Sequence, residues 1–114
     1  MITAVFYKDP EGNFKSFTIS GHAEFADEGQ DIVCAAVTAL SFNTVNAIEK
    51  LTKAPLKYDA DVDGHLVCTL QETGHRDAQL LIQALILGLE QIREDYGKDY
   101  LRIQTKAVRS TIEI

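Results

Sequence analysis

Two cysteines and three histidines are all that the chain offers as soft metal ligands, and none falls in a Cys-x-x-Cys or His-x-x-x-His pair. A zinc centre built from Cys34, Cys68, His22, His65 and His75 therefore has no support from spacing. There is no phosphate loop and no glycine-rich nucleotide motif, and no cofactor is implied. No apolar run reaches the roughly 18 residues of a membrane span. Met1 to Phe6 carries no basic leader, so export is not expected and the setting is cytoplasmic. In an unexported protein the two thiols read as free rather than paired. Positive charge is also scarce: 11 Lys and Arg stand against 17 Asp and Glu, a net charge of −6. Such a chain is a poor start for gripping phosphate backbones, so direct nucleic-acid binding is not expected. It suits a cationic partner, although a modest acidic charge also serves simply to keep a protein soluble.

What is present concentrates in one stretch, Gly21 to Thr38. It places His22 in a small-residue turn at the end of a strand-like run and Cys34 near the start of a long helical run. A thiol at a helix start with an imidazole in reach is the minimum kit for a cysteine nucleophile. Spacing alone leaves another reading open, in which Cys34 is a small buried residue and His22 an ordinary turn histidine.

The run Gly21-His22-Ala23, followed by Asp31-Ile32-Val33-Cys34-Ala35-Ala36-Val37-Thr38, resembles the signature of the ribosomal-processing cysteine protease family, Prp. The resemblance extends to total length, the strand pair before the motif and the helix near the C-terminus. It implies a cysteine endopeptidase that removes the N-terminal extension of a large-subunit ribosomal protein. Residue by residue, it places the nucleophile on Cys34 and the general base on His22. The family often has serine where this chain has Thr38; the hydroxyl is kept and its role stays open.

Read in order, the chain gives ββαββαβ. Ile2 to Lys8 and Phe14 to Ser20 alternate as a hairpin around Asp9-Pro10-Glu11-Gly12-Asn13, and the first strand is apolar enough on both faces to be covered twice. Gly21 ends the second strand. Ala23 to Gln30 shows no period and reads either as a surface loop or as a segment that orders over bound peptide, with Phe25 as its apolar contact. Asp31 is placed as the N-cap of a helix running to about Thr52. Val33, Ala36, Val37, Leu40, Ala47, Ile48 and Leu51 form one apolar face. Ile32, Ala35, Ala39, Phe42 and Val45 add apolar atoms elsewhere. A helix apolar nearly all round needs cover nearly all round, which predicts a homodimer.

Lys53-Ala54-Pro55 breaks that helix. Leu56 to Val62 and His65 to Glu72 form a second hairpin about Asp63-Gly64, with Cys68 inward. Arg76 to Tyr96 is a helix with Ala78, Ile82, Leu85, Leu89, Ile92 and Tyr96 on its apolar face and Gln79, Gln83, Glu90 and Glu94 on the other. Gly97 ends it. Lys98 to Ala107 is the closing strand, and the last residues are expected to be loosely held. The fold class is α+β, a two-layer domain of antiparallel hairpins packed with two helices, and one cysteine protease domain spans 1–114.

With Asp31 as cap, Cys34 falls at the third helical position, where unpaired N–H groups and the helix dipole favour thiolate over thiol. Those donors are also placed to receive an oxyanion. Asp31 then serves chiefly as a cap, with orientation of His22 as the second option. His65 and His75 read as solvent residues. A noncatalytic module that binds a ribosomal protein or rRNA during assembly is the alternative to the protease.

Overall fold

The computed structural model describes residues 1–21, 28–61 and 65–108, with residues 28–31 described by their backbone alone. β1 (Ile2–Lys8) and β2 (Phe14–Ser20) form the hairpin that the alternation predicts, with Thr3 opposite Ser20 and Phe6 opposite Phe17. One irregularity rephases it. Lys8 pairs with Phe14 while Tyr7 pairs with Ser16, so Lys15 is an extra residue on β2. Such a bulge lets Phe14 and Phe17, three apart, both reach the core. Their rings pack on Phe6, at centroid distances of 6.1 and 5.6 Å.

The turn between these strands is held from a distance. Asp9 accepts hydrogen bonds from the backbone N–H groups of Glu11 and Asn13 and from the Thr73 hydroxyl, the last at 2.7 Å. Burial alone would raise the Asp9 pKa. The hydrogen bonds from Thr73, Asn13, Glu11 and Gly12 outweigh it and hold the carboxyl below its ordinary value. Gln79 is half-buried rather than solvent-facing, a correction to its sequence assignment. Its amide both accepts from the Phe14 N–H (2.7 Å) and donates to the Phe14 carbonyl (2.8 Å), standing in for a strand partner beside the bulge.

α1 (Glu28–Leu51) leads to β3 (Leu56–Ala60), which pairs antiparallel with β4 (Leu66–Leu70). The Asp63-Gly64 turn lies outside the described residues. α2 (Arg76–Tyr96) follows, and Gly97 ends it at φ 105° with its N–H on the Arg93 carbonyl. The chain then enters β5 (Leu101–Ala107), shorter than the expected strand from Lys98. The sheet order is β3-β4-β2-β1-β5, with β5 parallel to β1. The expected loosely held terminus, residues 109–114, is outside the described residues.

Both long connections join parallel strands, β2–α1–β3 across one intervening strand (β4) and β4–α2–β5 across two (β2 and β1). They run in opposite directions along the sheet from strands of opposite sense. The right-handed rule therefore places both helices on one face. The helices pack on each other, and one core cluster joins them to the sheet residues Ile2, Ala4, Phe6, Phe17, Ile19, Leu66, Cys68, Leu70 and Leu101. This is the expected two-layer α+β domain. Val5, on the other face of β1, is also buried but stands outside the core cluster.

Burial corrects the face assignments of both helices. In α1, Val33, Val37, Val45 and Ile48 are buried together with Ser41 and Thr44, whereas Leu51 is exposed. In α2, Tyr96 is exposed and the core face ends with Leu89 and half-buried Ile92. A further correction concerns apolar length: Ile32–Leu51 is long and apolar enough to cross a membrane by length and composition. Its core side chains are already used against the sheet and α2, as in the central helix of a globular domain.

Candidate active site

The candidate residues flank the β2–α1 connection. β2 lies inside the sheet between β4 and β1, so its C-terminal end is fixed on both sides. Gly21 follows it directly at φ 84°, a conformation that L side chains rarely adopt. A Cβ there would also overlap the Met1 carbonyl oxygen. Gly21 is thus required twice, by its dihedral angle and by the close passage of two backbones. The sequence signalled the first through glycine at a strand end; nothing in it signalled Met1.

His22 and Phe25 lie outside the described residues, as do residues 23–27 as a whole. Glu28, Gly29 and Gln30, expected in the loop, belong to α1. Asp31 is therefore not the N-cap but the fourth helical residue, and Cys34 is the seventh. The polar sequence before Asp31 hid the earlier start, since it carries no apolar period. At 1.5 Å per residue Cys34 lies about 9 Å along the axis from the helix start. Its N–H is committed to the carbonyl four residues back, and the dipole effect falls off within the first turn. The first-turn donors placed beside Cys34 in the sequence reading are not its neighbours.

Cys34 is half-buried, packed against the core cluster, and in no disulfide. Positions 31, 34 and 38 follow one another on one side of α1 at spacings of three and four residues. Thr38 is exposed there. Cys68 has the opposite environment. It is 1% exposed in β4, and desolvation by burial pushes its pKa up to about 12. The fold thus leaves one of the two thiols within reach of solvent.

His65 is exposed. His75, half-buried, meets Glu72 at 2.9 Å between Nε2 and Oε2. Among the described residues, no three His, Cys, Asp or Glu side chains are grouped so as to hold a metal ion.

Comparison with known proteins agrees with this arrangement. The family model described as cysteine protease Prp matches residues 1–101. The ribosomal processing cysteine protease Prp of Bacillus subtilis is 39% identical over 113 residues, covering 95% of this chain and all of the relative. Its Staphylococcus aureus counterpart is 36% identical over 101 residues, covering 87% of this chain and 94% of the relative. The S. aureus protease has been solved with a substrate peptide; that structure matches at a TM-score of 0.86 with 33% identity, covering 93% of this chain and 100% of the other. The same protease with a covalently linked product peptide matches at a TM-score of 0.83 with 34% identity and the same coverage. Sequence, fold and a single accessible thiol on the first helix agree, and the chain belongs to the Prp family of cysteine proteases.

Proposed function

We propose that Cys34 is the nucleophile and His22 the general base of an endopeptidase that removes the N-terminal extension of a large-subunit ribosomal protein. The observation that carries the assignment is the contrast between the thiols. Cys68 is enclosed in the core with a raised pKa, while Cys34 is half-buried on the helix that follows the His22 segment. His22 takes the thiol proton, and the thiolate adds to the scissile carbonyl. The C–N bond breaks as the imidazolium protonates the leaving amine. Water then hydrolyses the thioester. Because Cys34 lies beyond the first helical turn, thiol activation rests on the imidazole rather than on the dipole. The covalently linked product peptide in the S. aureus relative supports a covalent route.

Asp31, no longer needed as a cap, takes the role of orienting His22. Thr38, one turn past Cys34, and Phe25 are assigned to substrate contact. The substrate runs extended past Cys34, with apolar side chains before the cut and basic ones near the acidic residues Glu24, Asp27 and Glu28. The reaction uses no cofactor, in one cytoplasmic domain covering 1–114. Incubating the protein with the extended ribosomal protein and weighing the products tests this reading. One cut near the N-terminus, absent with Cys34→Ala, is expected. An intact precursor in both reactions would overturn it.

The active form is a homodimer. Ile32, Leu51, Leu80 and Leu87 are exposed on the helix layer, and a depression of about 430 Å³ between the helices is lined mainly by apolar residues such as Ala36, Leu40 and Ile92, together with Asn43, Gln91 and Asp95. Light scattering at micromolar concentration should give twice the 12.6 kDa of one chain.

A further inference from the structure

A second depression, of about 320 Å³, opens where the end of α2, the loop after it and edge strand β5 meet Met1. Arg93, Lys98 and Arg102 line it with Met1, Leu101 and Ile103, and among the described residues no carboxylate does. Among the described residues none of the three cations forms an ion pair. Glu90 and Glu94 line a neighbouring depression that shares Arg93 and Lys98. Arg93 has a local use in the last turn of α2, where a cation suits the helix dipole. Lys98 and Arg102 have no such use, lying in the following loop and on β5. In a chain of net charge −6, three cations without an ion-pair partner among the described residues gather around one hollow, with Glu90 and Glu94 on its α2 side.

Its position ties it to the chain that leads into the proposed His22 segment. Met1 lines the hollow, and Gly21 lies against the Met1 carbonyl, immediately before His22 in the chain. Arg102 is registered opposite Thr3, which pairs in turn with Ser20 at the end of β2. A ligand seated here is therefore at the same end of the sheet as the end of β2, with β1 between them.

We infer that Arg93, Lys98 and Arg102 form a subsite for an acidic side chain of the polypeptide substrate, resting on the endopeptidase reading above. Arg guanidinium groups offer paired donors matched to a carboxylate, and the lysine adds charge without fixed direction. A phosphate backbone fits less well. Tracking a polyanion takes a run of cations, and beyond this spot the chain carries an acidic excess that repels one. A single carboxylate needs only the hollow.

The test is a scan of the cleaved precursor peptide, with Glu, Gln or Lys placed at each position in turn and kcat/KM measured by product mass. For the wild type, Glu should exceed Gln by about threefold to fivefold at one position, as for a surface ion pair, and the ratio should shrink with added salt. In Arg102→Gln and Lys98→Gln the Glu-to-Gln ratio should fall towards one, and Arg102→Glu should turn the preference towards Lys; equal melting temperatures would confirm folded variants. Cleavage of every peptide with no preference for Glu at any position would overturn the subsite and leave the protease reading standing. Cleavage of none would overturn the protease reading first. Weakened binding of an RNA oligonucleotide by the same variants, with the peptide ratios unmoved, would assign the hollow to phosphate and overturn the proposal.

Discussion

Gly21 and Met1 lie so close that the glycine has no room for a side chain, its Cβ position falling on the Met1 carbonyl oxygen. The contact joins the start of β1 to the last point before His22. Gly21→Ala must therefore relieve a backbone clash and a positive φ together. We expect a loss of about 1–3 kcal/mol of stability and a larger proportional loss of kcat/KM, because relief displaces the chain entering the catalytic segment. Melting curves alongside peptide kinetics check this; unchanged kinetics would mean that the strand end does not position His22.

Cys34→Ala should abolish cleavage while leaving the circular dichroism spectrum unchanged, since the side chain removed is small and half-buried. His22→Ala should lower kcat by about 10²–10⁴-fold, the usual contribution of a positioned base. Wild-type turnover by either variant would end the assignment.

Timed alkylation with mass mapping should label Cys34 well before Cys68 in the native protein, because Cys68 is closed off in the core. Unfolding should equalise the two rates. His22→Ala should slow the labelling of Cys34 if the imidazole takes the thiol proton in the free enzyme. Earlier labelling of Cys68 would contradict the burial seen here.

Cys68 also predicts how stability responds to alkali. Its folded pKa is about 12, against 9.0 for the unperturbed thiol. Below the unfolded value both states hold the proton and stability is unaffected. Between the two values only the unfolded chain loses it, so stability falls as pH rises through that window. Denaturant melts should show this slope above pH 9, and Cys68→Ala should flatten it.

At the helix–helix contact, a Cβ on Gly88 would come within 2.5 Å of Leu40 Cδ2. Gly88→Ala should therefore force the Leu40 methyl aside, and the cost of that shift should roughly offset the gain of about 1 kcal/mol from the better helix propensity of alanine. In the double variant with Leu40→Ala the alanine at 88 should stabilise more than it does beside Leu40; strictly additive denaturation energies would show that the two positions do not touch.

Much of the sheet was legible in the sequence because alternation survives where strands pair regularly, as in Leu66, Cys68 and Leu70. It failed where a bulge intervenes. Phe14 and Phe17 both reach the core only because Lys15 is extra, and no period of two reveals that. Asp31 had the chemistry of a cap, but helix α1 had already begun three residues earlier among residues with no apolar rhythm. Gln79 looked like solvent-facing polarity because its partner, Phe14, is 65 positions away. His22 and Cys34, proposed as the catalytic pair, stood out in the sequence only through a family motif, and the structure adds why one thiol is available and the other is not. The cations at 93, 98 and 102 follow no helical or strand period, and only the packing of α2 against β5 collects them.

The parallel pairing of β1 with β5 joins Ile2 to Leu101, so the first strand and the last are direct neighbours. During synthesis β1 can zip to β2 early, but its other edge stays open until almost the whole domain has left the ribosome. Closing contacts so far apart in sequence is entropically slow. The β1–β5 pairing is therefore expected to close after the β1–β2 hairpin that brings Met1 to Gly21. Activity is expected to appear only with docking of β5, since until then the strand that carries the Met1–Gly21 contact has one open edge.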